Sequence, residues 1–184
     1  MQKTIRLLVP NVFIGGYKLE KYAFYYDTPV GRIYIAEANA AITDIAFSPI
    51  SFAVETRTPL LTAAADMLHE YFRGERKIFD LPLNPQGTEF QKKAWDALLT
   101  IPYGQTRTYK EQAEYIGNAK ACRAVGAANG KNPISIVIPC HRVIGTGGAL
   151  VGFGGGLEVK RALLELENRY CSMTSTTSTV SRTV

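Results

Sequence analysis

The sequence has few of the residues from which metal sites and disulfide frameworks are built. It contains three cysteines, Cys122, Cys140 and Cys171, without a CxxC pair, and two histidines, His69 and His141. An odd number of widely spaced cysteines is typical of a reducing compartment and argues against structural zinc. Two histidines exclude a His-rich metal cluster. We therefore predict neither a disulfide framework nor a metal site.

Long hydrophobic runs are also missing. An apolar stretch at residues 5–9 ends at Pro10, which makes it too short for a signal sequence, and no later run is long enough to span a membrane. We therefore expect a cytoplasmic protein without a membrane partner. The formal net charge of +5 permits a nucleic-acid partner without requiring one.

The first part of the chain has the pattern of a small sheet with one helix. Three β-rich segments, 22–26, 32–36 and 42–47, are separated by turn residues, which predicts an antiparallel meander. Apolar residues on one helical face follow over 58–72, with Thr58 as the N-cap, Pro59 in the first turn and Gly74 just beyond the end. His69 lies off this apolar stripe and is predicted to be a surface residue.

The second part is mostly helical. Capping boxes at Thr88 and Thr108 begin two helices, and a third helix is predicted over 119–129 after the turn Gly117-Asn118. Two short helices joined by a glycine-containing turn are typical of a helix-turn-helix. The third helix is rich in small residues, which indicates either tight helix packing or close approach to a DNA groove. The basic residues in this segment favour DNA.

Cys140 ends a short, β-branched apolar run, 134–139, which we interpret as a buried strand. Pro139 fixes the backbone before the cysteine, and His141 and Arg142 follow it directly. A thiol beside two potential cations has a route to a lowered pKa, and the thiolate is the form that attacks carbon. The alternative is a buried structural cysteine.

A glycine-rich stretch, 145–156, matches neither a phosphate loop nor a dinucleotide fingerprint, and we interpret it as the wall of a pocket for a flat ring. A last helix is predicted over 157–167.

The fold class is α+β, with a small sheet and helix followed by a mostly helical domain that has a helix-turn-helix and a short active-site strand. The predicted division is an extension or first strand (1–21), an α/β domain (22–80), a linker (81–87), a C-terminal domain (88–170) and a disordered tail (171–184).

The segment Ile138-Pro-Cys-His-Arg-Val143 resembles the methylated-DNA–protein-cysteine methyltransferases, also called 6-O-alkylguanine-DNA alkyltransferases. The resemblance extends to Arg123-Ala-Val-Gly126, Asn132-Pro133 and Gly155-Gly-Leu157. It covers residues 88–168 strongly and residues 22–87 as a compatible layout. The retained cysteine distinguishes the chain from the alkyltransferase-like proteins, which lack the acceptor thiol.

The resemblance implies a role for each residue around the cysteine. Cys140 would accept the alkyl group from oxygen 6 of guanine, His141 would act through a bound water, and Glu167 would orient His141. Asn132 would hold the turn before the cysteine, and Tyr109 would donate to a ring nitrogen of the leaving base. From the residues alone, Glu167 could equally be a surface acid at a helix end, and Asn132 an ordinary turn residue.

The resemblance also implies a base pocket. The backbone N–H of Gly154 would donate to the guanine oxygen, and the carbonyl groups of Cys140 and Val143 would accept from the exocyclic amine. Val151 and Gly155 would complete the lining.

On the DNA side, Arg123 would fill the place in the stack that the extruded base leaves. Ala124 and Ala127 would lie against the minor groove, with Lys120 and Lys131 as further DNA contacts. The partner would be double-stranded DNA containing 6-O-alkylguanine, bound by a monomer, nucleoid-associated if the source is prokaryotic. No cofactor is expected because the DNA supplies the alkyl group, and each molecule would act once because a thioether has no hydrolytic route back to the thiol.

Two rival functions remain. A non-catalytic helix-turn-helix protein would bind damaged or regulatory DNA and keep its full effect in Cys140→Ser. A thiol hydrolase would need a histidine elsewhere in the chain, and only His69 is available.

Overall fold

The structure is a computed structural model that describes residues 13–14, 17–18 and 20–176, with side chains for 20–172. Strands β1 (Phe13–Ile14) and β2 (Tyr17–Lys18) pair antiparallel. The prediction for residues 1–21 otherwise falls largely outside the described residues. None of the helices described is both long and apolar enough to traverse a bilayer.

The sheet that follows has four strands: β3 (Tyr22–Thr28), β4 (Gly31–Ala38), β5 (Ala41–Ala46) and β6 (Val54–Glu55). Their order is β5-β4-β3-β6, and the first three form the predicted antiparallel meander. The short β6 was not predicted and pairs parallel with β3. Ile33 and Ile35, two positions apart on β4, are fully buried in one core with Leu61 and Leu68, because alternate side chains of a strand share a face.

Helix α1 (Pro59–Phe72) covers this sheet and has the predicted ends. The Thr58 hydroxyl accepts a hydrogen bond from the Leu61 N–H at 3.1 Å, and Gly74 follows the helix with φ +76°. His69 is exposed, as predicted.

The helical part comprises α2 (Glu89–Leu99), α3 (Tyr109–Tyr115), α4 (Cys122–Gly130) and α5 (Leu157–Thr176), with the two-residue strands β7 (Arg107–Thr108) and β8 (Val143–Ile144). Both capping boxes form. Helix α4 begins at Cys122, three residues later than predicted. The side chain of Asn118 does not cap it; instead, the Asn118 backbone carbonyl accepts the N–H of Ala121.

The predicted active-site strand at 134–139 is wrong. Only single bridges join Ile134 to Ile45 and Ser135 to Ile138, and Ile136 reverses the chain with φ +72°. A 3-10 helix, Cys140–Arg142, follows. The run is apolar because this turn is buried, and burial alone does not distinguish a strand from a buried loop.

The linker and the turn at 134–138 both lie along β5. The N–H of Ile42 donates to the carbonyl of Pro82 at 2.8 Å, and the N–H of Asn84 donates back to Ile42 at 2.8 Å. The N–H of Ser135 donates to the carbonyl of Ile45 at 2.9 Å. The segment that carries Cys140 is therefore fixed to the N-terminal sheet.

Helix α5 extends to Thr176, into the segment 171–184 for which the sequence predicted a disordered tail. Two glycines make room for side chains near the C-terminal end of α5. A Cβ on Gly74 would lie 2.2 Å from the Tyr170 ring, and one on Gly104 would lie 2.8 Å from the Cβ of Cys171. Residues 177–184 lie outside the described residues.

Candidate active site

Cys140 begins the 3-10 helix and is 6% exposed. The side-chain amide nitrogen of Asn132 lies 3.2 Å from its sulfur and 2.8 Å from the carbonyl oxygen of Ile138. The amide oxygen of Asn132 accepts the N–H of Ile134 at 3.1 Å. Asn132 therefore connects the sulfur to both ends of the buried turn, which is more than an ordinary turn residue does.

Glu167 is the acceptor of a buried hydrogen-bond network, with a side chain only 1% exposed. One oxygen, Oε1, lies 2.8 Å from Nε2 of His141 and 2.8 Å from the hydroxyl of Tyr71. The other, Oε2, accepts Nε of Arg142 at 2.9 Å and the N–H of Gly104 at 3.0 Å. The alternative that Glu167 is a surface acid is thereby excluded.

The charges in this network can be assigned from their surroundings. Burial acts to raise the pKa of Glu167, but hydrogen bonds from His141 and Arg142 and the positive charge of Arg142 lower that pKa to about 2. Burial lowers the pKa of His141, and this outweighs the opposite effect of Glu167. Glu167 is thus anionic and His141 neutral. The His141 hydrogen is on Nε2, facing the carboxylate, so Nδ1 is an acceptor.

Nδ1 of His141 is buried, and it has no hydrogen-bond partner among the side chains and backbone of the described residues. A buried imidazole acceptor needs a donor, and one ordered water supplies it in many proteins. The arrangement can therefore accept a proton at Nδ1.

The lowered thiol pKa expected from the two neighbouring cations is not what the structure gives. Burial raises the pKa of Cys140, while the hydrogen bond from Asn132 and the charge of Lys160 act to lower it. The side-chain charges of the two adjacent residues contribute little to this pKa, because His141 is neutral and Arg142 is paired with Glu167, although the backbone N–H of His141 also acts to lower it. The thiol is therefore protonated at rest.

Lys160 is a site residue that the sequence reasoning missed. Its side chain is completely buried, and its ammonium group donates to the carbonyl oxygens of Val143 at 2.6 Å and Val151 at 2.8 Å. Burial lowers the pKa of this lysine. A signal was present in the sequence, since Lys160 and Glu167 share one face of α5 with the buried Leu163.

Tyr109, the first residue of α3, lies between the glycine-rich loop and α4. Its hydroxyl donates to the carbonyl of Val151 at 3.0 Å, and a Cβ on Gly126 would lie 3.6 Å from its ring. Burial raises the pKa of Tyr109, and so does the nearby Cys140. The phenol is therefore a neutral donor near the thiol.

The predicted pocket glycines differ in their surroundings. A Cβ on Gly154 would meet nothing within 4 Å, whereas one on Gly155 would lie 2.8 Å from the ring of Phe47. Gly154 therefore faces open space, as a pocket residue must. Gly155 lies beneath Phe47, whose ring also contacts Phe153 at 5.6 Å between centroids.

Helix α4 has one exposed side and one buried side. Arg123, Ala124 and Ala127 are exposed, and so are Lys120 and Lys131 at its ends. On the buried side, the indole N–H of Trp95 donates to the carbonyl of Ala128 at 2.9 Å. The exposed stripe contains no acidic residue.

A pair of buried amides joins α3 to α4. Nδ2 of Asn129 donates to Oε1 of Gln112 at 2.7 Å, and Nε2 of Gln112 donates to Oδ1 of Asn129 at 3.1 Å. The same Nε2 also donates to the carbonyl of Ala94 on α2 at 3.0 Å. This pair fixes the angle between the two helices of the helix-turn-helix.

The comparisons with known proteins agree with this architecture. A family model described as 6-O-methylguanine DNA methyltransferase, ribonuclease-like domain, matches residues 21–85. The model for the DNA binding domain of 6-O-methylguanine DNA methyltransferase matches residues 89–169.

Relatives resemble most of the chain. A methylated-DNA–protein-cysteine methyltransferase of Mycobacterium tuberculosis is 48% identical over 146 residues, covering 77% of this chain and 88% of its own. One from Methanosarcina acetivorans is 45% identical over 152 residues, covering 79% and 97%. The crystal structure of the M. tuberculosis protein in complex with DNA has a TM-score of 0.76 at 47% identity, covering 81% of this chain and 94% of that one.

A sheet-and-helix unit followed by a helix-turn-helix unit that holds a buried thiol is the architecture of a DNA-binding protein with a buried cysteine. The chain belongs to the methylated-DNA–protein-cysteine methyltransferases, a family of DNA-repair enzymes.

Proposed function

We propose that the protein transfers the alkyl group of a 6-O-alkylguanine in double-stranded DNA to Cys140, once per molecule. The observation that carries this proposal is the arrangement around the thiol. Asn132 donates to the sulfur, and the neighbouring His141 presents a buried, unprotonated Nδ1 while Glu167 holds its other nitrogen. This arrangement can deprotonate a buried thiol at the moment of attack.

Proton transfer would precede the attack. The Cys140 proton passes through a bound water to Nδ1 of His141, and Glu167 stabilises the imidazolium that forms. The thiolate attacks the alkyl carbon, a carbon–sulfur bond forms, and the carbon–oxygen bond breaks with its electron pair leaving on guanine. The Tyr109 hydroxyl stabilises the developing negative charge on the base by hydrogen bonding to a ring nitrogen.

Entry of the base requires a local exchange of hydrogen bonds. The Tyr109 hydroxyl must leave the carbonyl of Val151 to reach the base. The carbonyl of Val143 already accepts Lys160, so an exocyclic amine would use its second lone pair. The open space beside Gly154 supports its role as a donor to the guanine oxygen.

DNA would be bound through α4. The exposed Arg123 would fill the vacated stack, and the small side chains of Ala124 and Ala127 suit a narrow minor groove. The exposed Lys120 and Lys131 would contact DNA phosphates. The monomeric state and the domain bounds 22–80 and 88–170 stay predictions alongside this proposal.

Mass spectrometry after incubation with a duplex that carries one 6-O-methylguanine tests the reaction. We expect a gain of one CH₂ on the peptide that contains Cys140, saturating at one per protein. The other two cysteines provide matched controls, because Cys122→Ala and Cys171→Ala should gain the same mass and Cys140→Ala should gain none. Tight binding of the duplex with no mass gain would instead assign the protein to the non-catalytic damage binders.

A further inference from the structure

A hydroxyl group from the N-terminal sheet-and-helix unit enters the network behind Cys140. Tyr71 lies on α1, 96 positions before Glu167, and its side chain is completely buried. Its oxygen lies 2.8 Å from Oε1 of Glu167, the same oxygen that faces Nε2 of His141 at 2.8 Å. Tyr71 and His141 thus share this carboxylate oxygen with Arg142, whose Nη2 donates to it at 3.0 Å.

The direction of this hydrogen bond follows from the charge of Glu167. An anionic carboxylate has only acceptors, so the Tyr71 hydroxyl must donate. The Tyr71 ring is held by the rings of Phe72, Phe79 and Tyr103, with centroids 5.4, 5.6 and 6.0 Å away. The hydroxyl is therefore directed at Glu167 by packing.

A hydrogen bond to an anion stabilises the anion and weakens its attraction for a further proton. Tyr71 therefore weakens the pull of Oε1 on a protonated His141. We propose that Tyr71 is a positioning residue for alkyl transfer, whose hydrogen bond to Glu167 keeps His141 neutral with Nδ1 able to accept the Cys140 proton. This role rests on the proposed function.

Other ionisable groups also face Glu167 and His141, and a single substitution at Tyr71 leaves them unchanged. They are Tyr103 from the turn after α2, Cys140 and Arg142 from the 3-10 helix, and Lys160 from α5. The positive charges of Arg142 and Lys160 both disfavour an imidazolium at His141. Burial and neighbouring charge raise the pKa of Tyr103 to about 12, so this phenol is neutral near pH 7.

Tyr71→Phe removes one hydroxyl and keeps the ring. Tyr26→Phe is the matched control, because the Tyr26 hydroxyl lies 3.4 Å from the carbonyl oxygen of Leu61 on the same helix, α1. The first readout is ¹⁵N NMR of His141 between pH 5 and 8, assigned by comparison with His69→Gln, since the chain has two histidines. We expect His141 to become protonated at a higher pH in Tyr71→Phe than in the wild type and Tyr26→Phe. In the latter two proteins it should therefore remain the neutral Nε2–H tautomer down to a lower pH.

The second readout is the single-turnover rate of methyl transfer from a duplex with one 6-O-methylguanine over the same pH range. Loss of the Tyr71 hydroxyl should raise the pH midpoint of His141 protonation by roughly half a unit to one unit. Below this midpoint, Tyr71→Phe should transfer the methyl group about three- to tenfold more slowly than the wild type, because each pH unit is a factor of ten in protonation. At pH 8 the rate should stay within about twofold of the wild type.

The outcomes separate this inference from the proposed function. An unchanged His141 titration in Tyr71→Phe would overturn the inference. A transfer rate lowered by the same factor at every pH would also overturn it, since lost packing alone gives such a pH-independent loss. Absence of methyl transfer by the wild type at every pH would overturn the proposed function and the role of Tyr71 in it. The NMR titration tests the hydrogen bond in either case.

Discussion

The side-chain amide of Asn132 lies 3.2 Å from the Cys140 sulfur and 2.8 Å from the carbonyl oxygen of Ile138. One NH₂ group thus holds the turn closed and donates toward the sulfur, which would become negative in the proposed reaction. Burial raises the pKa of Cys140, and the Asn132 hydrogen bond is the foremost effect that lowers it.

Asn132→Ala should slow methyl transfer because it removes the donor that stabilises the thiolate. A hydrogen bond to a charged group is worth about 1.5–3 kcal/mol, which corresponds to roughly 10- to 150-fold in rate. The measurement is the single-turnover rate against pH, with the exposed Asn168→Ala as control. An unchanged rate and pH profile in Asn132→Ala would remove this role.

Acid should destabilise the protein through Glu167. Its pKa is about 2 in the fold, against an ordinary value of 4.5, so the unfolded chain takes up this proton first as the pH falls. The contribution to stability is fully present above pH 4.5 and is lost as the pH falls toward 2, on the order of 3 kcal/mol in total. The free energy of urea unfolding should fall less steeply below pH 4.5 in Glu167→Gln than in the wild type or the exposed control Glu165→Gln. Equal slopes in all three proteins would contradict the assignment.

Gly155→Ala and Gly154→Ala should differ in stability although the residues are adjacent. A Cβ at 155 would meet the Phe47 ring at 2.8 Å, whereas one at 154 would meet nothing within 4 Å. Overpacking costs about 1–3 kcal/mol, so the melting temperature should fall by several degrees for Gly155→Ala and stay near the wild-type value for Gly154→Ala. Equal melting temperatures would show that Phe47 moves aside without cost.

The helix-turn-helix should loosen when one member of its buried amide pair is removed. Gln112→Leu leaves the Asn129 amide without its partner, and an unsatisfied buried polar group costs about 1–3 kcal/mol. The exposed Gln105→Leu is the control. Adding Asn129→Leu should recover part of the loss in a double-mutant cycle of unfolding free energies, and strictly additive effects would argue against the pair.

Lys131 should contribute to DNA affinity mainly through charge. Lys131→Ala should weaken binding about equally for damaged and undamaged duplexes and reduce the slope of log affinity against log salt by about one. Arg73→Ala, which removes an exposed arginine from the end of α1, should leave that slope unchanged. No change in the slope for Lys131→Ala would remove Lys131 from the phosphate contacts.

Local signals in the sequence predicted local structure well. The capping boxes at Thr88 and Thr108 form because each requires only residues three positions apart, and the meander forms because its turns lie between adjacent strands. The turn at 134–139 was missed because its apolar residues are buried by β5, which is about 90 positions away in the chain. The same physical limit applies to Tyr71, whose contact with Glu167 has no signature at either position.

The site residues near Cys140 were named through a family resemblance, and the structure joins them in two hydrogen-bonded pairs, Asn132 with Cys140 and Glu167 with His141. The charge state of the Cys140 thiol could not be predicted from the residues adjacent to it in sequence. Arg142 follows the thiol closely in sequence, yet its guanidinium group is paired with Glu167. The lysine whose charge does act on Cys140 is 20 positions further along the chain, at Lys160.

A buried thiol that is protonated at rest is a poor nucleophile toward whatever small molecules diffuse past it. Oxidants and free alkylating agents react with exposed thiolates, and Cys140 offers neither the exposure nor the charge. Under the proposed single-use transfer, the protein should therefore survive a reactive environment with its acceptor thiol intact until a base lies against the sulfur. The proposed function then implies that encounters with damaged DNA, rather than the chemistry of the surrounding solvent, set its useful lifetime.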